Sequence, residues 1–272
     1  MRIATFACSV TWLVFAISSL VLAASPQEAT PVLAEKDAIE FQLDDFRGRS
    51  WAMAEFRERP IVVVVFLGTE CPLATHYSLC VQELADQYQE RGVQFLAIDS
   101  NVQDSLEEMS AFARRQNLEV PFLKDPQAKV ADRLGATRTP EAFVLNERRE
   151  VVYRGRIDDQ YGIGYTQKSP QSREVADAIE ALLQKKDVVT SRTEAVGCLI
   201  GRQRKSASDS SITYASHVAP ILNNHCVRCH RDGQIGPFSL DNYANAAAWS
   251  EMIGEVIRDK RMPPWHADPA HG

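Results

Sequence analysis

Residues 61–67, IVVVVFL, constrain this chain more than any other stretch. An unbroken apolar run of mostly β-branched residues, with no polar alternation, describes a strand buried on both faces of a sheet. Such a sheet needs helices on both sides. Gly68-Thr69-Glu70-Cys71-Pro72 breaks the run. Leu73, Tyr77, Cys80, Val81, Leu84 and Tyr88 then fall largely on one side of a helix spanning residues 73–90. Arg91-Gly92 supplies a cation and then a glycine, the expected helix end.

The alternation continues downstream. Residues 93–98 read as a second strand. Residues 105–116 read as a helix, with Ser105 as N-cap and Glu108 completing a capping box. Residues 120–123 are extended, and 128–134 form a short helix stopped by Gly135. Residues 141–145 and 151–156 are strands joined by a turn at 146–149, and 172–184 form a final helix. This order predicts an α/β domain over residues 35–185, with a mixed central sheet flanked by helices. The periodicity then fades. Residues 186–211 read as a linker, polar and serine-rich from Gln203 and interrupted by the isolated patch Gly197-Cys198-Leu199-Ile200-Gly201. A second unit is expected over residues 212–272.

Arg2 precedes an uncharged apolar run over residues 3–22, followed by Leu22-Ala23-Ala24-Ser25. That is the layout of a secretory signal peptide, residues 1–24, with cleavage near Ala24. The run approaches the ~20 residues that span a bilayer, so an uncleaved membrane anchor is the alternative. Either way the remainder faces a periplasmic or extracellular, oxidising compartment. The net charge of −6 gives no electrostatic case for nucleic-acid binding. Of six cysteines, Cys8 lies in the leader. The other five, Cys71, Cys80, Cys198, Cys226 and Cys229, are an odd number, so they cannot all sit in structural disulfides.

Cys71 stands where the buried strand turns into a helix. A helix N-terminus presents unpaired N–H groups and partial positive charge, which favour thiolate over thiol. Pro72 fits the first turn, where its missing donor costs nothing. Together the IVVVVFLGTECPLA segment, residues 93–99, Thr139-Pro140 with the following EAFVL, and VVYRGRID resemble the redoxin branch of the thioredoxin superfamily. That group holds the alkyl hydroperoxide reductases and thiol-specific antioxidant proteins. The resemblance covers about half the chain, residues 37–184. It implies a thioredoxin-like fold in which Arg138-Thr139-Pro140 forms a cis-proline loop facing Cys71, with Arg138 adding positive charge near the thiolate. It also implies antioxidant or thiol–disulfide chemistry on a peroxide or on protein thiols and disulfides.

The sequence departs from both chemistries of that branch. A dithiol enzyme has a second cysteine three residues after the first; here that residue is Ala74. A peroxiredoxin usually has threonine three residues before its cysteine; here that residue is Gly68, and Thr69 is one closer. Cys80 would lie roughly 13.5 Å along the helix from Cys71 and on its opposite face. A disulfide needs Cα atoms within about 7 Å, so Cys80 reads as a core cysteine. Cys198 lies in a glycine-flanked segment that could fold back onto Cys71, because loop closure over that length adds little entropy cost. It is the candidate resolving cysteine.

His225-Cys226-Val227-Arg228-Cys229-His230 contains C-x-x-C-H, the attachment pattern of c-type haem. Two thiols one helical turn apart can each form a thioether to a vinyl group of one porphyrin, and His230 then reaches the iron. Haem c is therefore the expected cofactor. A zinc site built on Cys226, Cys229 and His230 is the competing reading. Met262, held between Arg261 and two prolines, is the expected sixth ligand; His266 is the alternative, and Met252 reads as core. HVAPIL, CHRDGQIGPFSL and RMPPWHADPAHG give residues 214–272 a resemblance to the small, mainly α, cytochrome-c-like segment of certain long bacterial proteins. Only some 40 residues follow His230, short for a complete haem domain, so the segment is expected to be truncated here. The expected function is an exported oxidoreductase with one active-site cysteine, coupled through haem to an electron-transfer partner. The alternative is an electron-transfer or interaction protein whose redoxin domain is a non-catalytic scaffold.

Overall fold

The computed structural model describes residues 38–202 and 211–264, all within one unit spanning residues 32–272. The expected leader, His266 and most of the serine-rich stretch lie outside the described residues. Among the described residues no helix is long and apolar enough to cross a membrane.

Two short strands open the described chain, β1 (Gln42–Asp45) and β2 (Ser50–Ala52). The IVVVVF run follows as β3 (Ile61–Phe66), then α1 (Pro72–Gln89), β4 (Val93–Asp99), α2 (Leu106–Gln116), β5 (Phe122–Lys124) and α3 (Lys129–Leu134). Next come β6 (Arg138–Thr139), β7 (Glu141–Leu145), β8 (Val151–Gly155), β9 (Tyr161–Gly162), β10 (Tyr165–Thr166) and α4 (Glu174–Leu183). The rest comprises β11 (Cys198–Leu199), α5 (Ala219–His225), α6 (Tyr243–Ala248) and α7 (Ser250–Arg258). The main sheet runs β2-β1-β5-β4-β3-β7-β8. β3 pairs parallel with β4 and antiparallel with β7, so the sheet is mixed.

β3 is an interior strand between β4 and β7, and every one of its side chains is buried. Its odd positions, Ile61, Val63 and Val65, pack with Tyr77 and Val81 of α1, Phe112 of α2 and Ile179 of α4. Its even positions, Val62, Val64 and Phe66, pack with Met53, Phe56, and Val130 and Leu134 of α3. One strand thus feeds two cores, which is why its apolar run shows no alternation. Burying each such side chain contributes roughly 1.5–3 kcal/mol. The Ser105 capping box forms as the sequence indicated, with Ser105 Oγ accepting from the Glu108 amide at 3.2 Å.

Two expectations are corrected. Residues 186–202 are not a free tether. Thr193 N donates to Arg154 O and Arg154 N to Ser191 O, both at 3.0 Å, and β11 pairs antiparallel with β6. The exposed ladder groups of β8 and β6 recruit this segment, because unpaired strand edges are costly to leave bare. Nor is the C-terminal region a separate body. Leu240, Trp249 and Met252 join the same buried cluster as α1 and β3.

Candidate active site

Cys71 is the N-cap of α1, and Pro72 takes the first helical position. Its carbonyl accepts the Thr75 amide at 3.0 Å, which starts the helix. The side chain is 1% exposed, and its thiol donates to the Thr139 carbonyl at 2.9 Å. The Thr139-Pro140 bond is cis. On the other side of that carbonyl runs β11, where Cys198 stands opposite Thr139 and Leu199 opposite Arg138. This approach depends on Gly197, whose φ is +149°. A Cβ there would lie 2.1 Å from the Thr139 oxygen. The pairing sets Cys198 opposite Thr139, whose carbonyl accepts from the Cys71 thiol, and the two cysteines shift one another's titration. Both thiols are free in this structure.

The two sulfurs are electrostatically unequal. Burial pushes the Cys71 pKa up, but hydrogen bonds from the Cys198 thiol and from the Ala74 and Cys198 amides outweigh it and bring the value down to about 6. The Ala74 donor is one of the unpaired amides of the helix start. Cys198 moves the other way. Its hydrogen bond to Cys71 and its burial hold it well above the ordinary thiol range, against an opposing pull from Arg138 and Arg261. The pair therefore has a poised nucleophile and a thiol that keeps its proton.

Arg138 donates from its guanidinium to Gly197 O at 2.8 Å and pairs with Glu255 Oε2 at 2.8 Å. Its charge pulls the Cys198 pKa down. Cys80 stays apart from the pair, partly buried, with its pKa pushed up to about 12 by burial and by Asp158.

A polar hub, which the sequence reading missed, ties the two cysteine segments together. Asn101 Oδ1 accepts the Gly201 amide at 2.9 Å, three residues after Cys198. Asn101 Nδ2 donates to Asp104 Oδ2 at 3.0 Å, and that oxygen also accepts the Thr69 amide at 2.8 Å, two residues before Cys71. Lys124 anchors the hub from below through Asp99 Oδ1 and the carbonyls of Asn101 and Asp104. Burial and the neighbouring Asp104 hold the Asp99 carboxyl well above its usual range, despite Lys124. Burial and Asp104 likewise raise Glu70 to about 7, while its Oε2 accepts the Trp249 indole N–H at 3.2 Å.

The C-x-x-C-H residues form a second, local constellation. The Cys226 amide closes the end of α5 on Leu222 O at 2.8 Å, and the His230 amide returns to Cys226 O at 2.9 Å. Cys226 and Cys229 are half-buried free thiols. The buried His230 ring makes an Nδ1 hydrogen bond with Phe238 O at 3.1 Å. If Nδ1 carries the proton, Nε2 presents its lone pair, the arrangement that suits an axial ligand. Gly236 allows the close packing, since a Cβ there would lie 2.8 Å from His230 Nδ1 and 2.7 Å from Cys229 O. These residues fit a covalent haem. Among the described residues no group of three or more His, Cys, Asp or Glu side chains is gathered as a metal cluster. Met262 bonds through its amide to Val256 O and is 38% exposed. Met252 is core, and its Sδ accepts the Leu199 amide at 3.4 Å.

Residues 34–154 match the AhpC/TSA family. A thiol-disulfide oxidoreductase ResA from Geobacillus thermodenitrificans is 30% identical over 124 residues, covering 46% of this chain and 70% of the relative. The chain belongs to the AhpC/TSA family. A second ResA, from Halalkalibacterium halodurans, is 29% identical over 119 residues, 44% of this chain and 66% of its own length. The crystal structure of a hypothetical protein from Sinorhizobium meliloti 1021 superposes with a TM-score of 0.57 at 30% identity, covering 62% of this chain and 93% of that one. The family match ends at Arg154, so Cys198 comes from outside it. In this AhpC/TSA domain Ala74 stands at the position of the usual second cysteine, and β11 delivers a thiol to Cys71 from the side.

Proposed function

We propose that this chain is an exported thiol–disulfide oxidoreductase whose redox couple is Cys71 with Cys198, joined to a C-terminal segment that binds haem covalently. The convergence on Thr139 carries the reading: its carbonyl accepts from the Cys71 thiol, and Cys198 stands opposite it on β11. The likeness to the ResA proteins favours a disulfide substrate over a peroxide.

The chemistry follows from the inequality of the sulfurs. The Cys71 thiolate attacks one sulfur of a substrate disulfide, and the other sulfur leaves as a thiolate that takes up a proton. A mixed disulfide to Cys71 results. Cys198 then loses its proton and attacks Cys71 Sγ, releasing the second substrate sulfur as a thiol. The substrate gains two electrons and two protons, and the protein holds a Cys71–Cys198 disulfide. A dithiol reductant reverses the last steps and restores both thiols. Cys198 keeps its proton until the negative charge on Cys71 is consumed. That order prevents the pair from presenting two competing nucleophiles.

In the C-terminal segment, Cys226 and Cys229 would carry the thioethers and His230 Nε2 the iron. Phe238 O fixes the ring, and Met262 or His266 would supply the second protein ligand. The bound haem would supply one-electron transfer. Residues 1–24 would direct export, as thioether attachment outside the cytoplasm requires.

The test is mass spectrometry of exported protein oxidised with a small disulfide. A linked Cys71–Cys198 peptide and loss of exchange activity by at least about 10³-fold in Cys71→Ser are expected. No such peptide, or exchange unchanged in the variant, overturns the thiol half and leaves the redoxin domain a scaffold. The same spectra report cleavage near Ala24 and any haem mass on Cys226 and Cys229. An unmodified Cys226–Cys229 peptide overturns the haem half.

A further inference from the structure

The chain's own C-terminal segment is bonded at three points to residues beside the thiol pair. Trp249, between α6 and α7, is 1% exposed and donates its indole N–H to Glu70, the residue before Cys71. Met252 Sδ accepts the amide of Leu199, the residue after Cys198. Glu255 binds Arg138, the residue before Thr139, through both carboxylate oxygens at 3.3 and 2.8 Å. Residues three apart are neighbours on a helix surface, so Trp249, Met252 and Glu255 follow one another along it. These three contacts therefore form one face, and it lands on the immediate neighbour of each part of the site. Arg261 also pairs with Glu255 and steadies it from behind. The face is backed by Phe238, stacked on Trp249 with ring centroids 4.0 Å apart.

We propose that Trp249, Met252 and Glu255 are specificity-determining residues of the thiol site. Docked, they bar bulky disulfides from Cys71 and admit small reagents through local openings. The physical basis is the size of the opening each reagent needs. A few-atom reagent needs only a local fluctuation, whereas a protein disulfide needs the whole face to lift. Larger openings cost more free energy and are rarer. Lifting would also uncover Glu70, Arg138 and the Leu199 amide, a carboxylate, a guanidinium and a free strand-edge donor for the flanks of a protein substrate. This rests on Cys71 being the reactive thiol of the exchange proposed above.

The test labels reduced full-length protein with iodoacetamide and, separately, with a polyethylene-glycol maleimide. Peptide mapping reads Cys71 for each reagent, scaled to that reagent's rate on the urea-unfolded protein, with Cys80 followed as a fold control. In the wild type the bulky reagent should label Cys71 far more slowly, on that scale, than iodoacetamide does. Glu255→Gln and Trp249→Ala should each raise bulky labelling of Cys71 by about tenfold or more, the equivalent of ~1.4 kcal/mol of docking. Iodoacetamide labelling should rise less. Unchanged Cys80 rates and circular dichroism show that the fold persists. Should Trp249→Ala fail to fold, the near-isosteric Glu255→Gln still decides. Bulky labelling that is already fast in the wild type, unchanged in the variants, or raised equally for both reagents overturns the proposal. Its failure is separable from that of the redox reading, because a Cys71–Cys198 disulfide forms or fails to form whatever the labelling shows.

Discussion

The two cysteine constellations of this chain are built by opposite means. Cys226, Cys229 and His230 are placed by a single turn, through bonds between residues four apart and one ring anchored eight residues on. Cys71 and Cys198 are brought together from either side of a strand by a cis-proline loop and a two-residue ladder. The difference shows in their electrostatics. Around Cys226 burial alone acts, and it raises the thiol pKa. Around Cys71 burial is overcome by donors converging from three parts of the chain. A local motif can hold a group in place, but long-range contacts are needed to tune a thiol against the effect of burial.

Removing one side of the long-range pair should break that contrast most severely. In Cys198→Ala the thiol donor to Cys71 is gone, and burial is opposed only by the remaining amides. The Cys71 pKa should rise from about 6 toward or above the ordinary thiol range. A depressed thiol pKa keeps the thiolate populated above about 6. At pH 7 the variant should therefore react with iodoacetamide about tenfold or more slowly, and the alkylation midpoint should move to higher pH. Substrate exchange should stop at the mixed disulfide. An alkylation profile that does not move would show that helix and loop amides alone set the thiolate.

What the sequence disclosed follows the same division. The IVVVVF strand, the Ser105 capping box, the Gly135 helix stop and the C-x-x-C-H turn all rest on contacts within a few residues, and each could be read directly. The part of the expected linker over residues 186–202 was misread because polar composition says nothing about a free ladder edge elsewhere. Gly197 was the available signal, since its close approach to the Thr139 oxygen needs a residue without a side chain. The ion pair of Arg138 was not legible because its partner, Glu255, lies 117 residues away. The C-terminal cap left no local trace beyond the spacing of Trp249, Met252 and Glu255.

The Asn101 hub gives a smaller and sharper test. Asn101→Ala leaves the Gly201 amide without its acceptor and Asp104 without one donor, inside a site where water is scarce. An unsatisfied buried group of this kind costs about 1–3 kcal/mol. Urea denaturation should show that loss. Formation of the Cys71–Cys198 disulfide should also slow, because the two segments are no longer held in one register. Lost stability with an unchanged rate of disulfide formation would make Asn101 structural only.

The mildest test falls on the local constellation. Gly236→Ala places a Cβ against the His230 ring and the Cys229 carbonyl, both closer than van der Waals contact allows. The neighbours must shift, at a cost of about 1–3 kcal/mol confined to that turn. Hydrogen exchange at the Gly236 and Leu240 amides, which bond back to Cys229 and His230, should accelerate. Loading of covalent haem should fall in proportion. The alkylation midpoint of Cys71 should not move, because none of its donors comes from this turn. A shifted midpoint would mean that strain at His230 travels through Phe238 and Trp249 to Glu70. The two constellations would then be one coupled site, joined along the ring stack that already connects them in space.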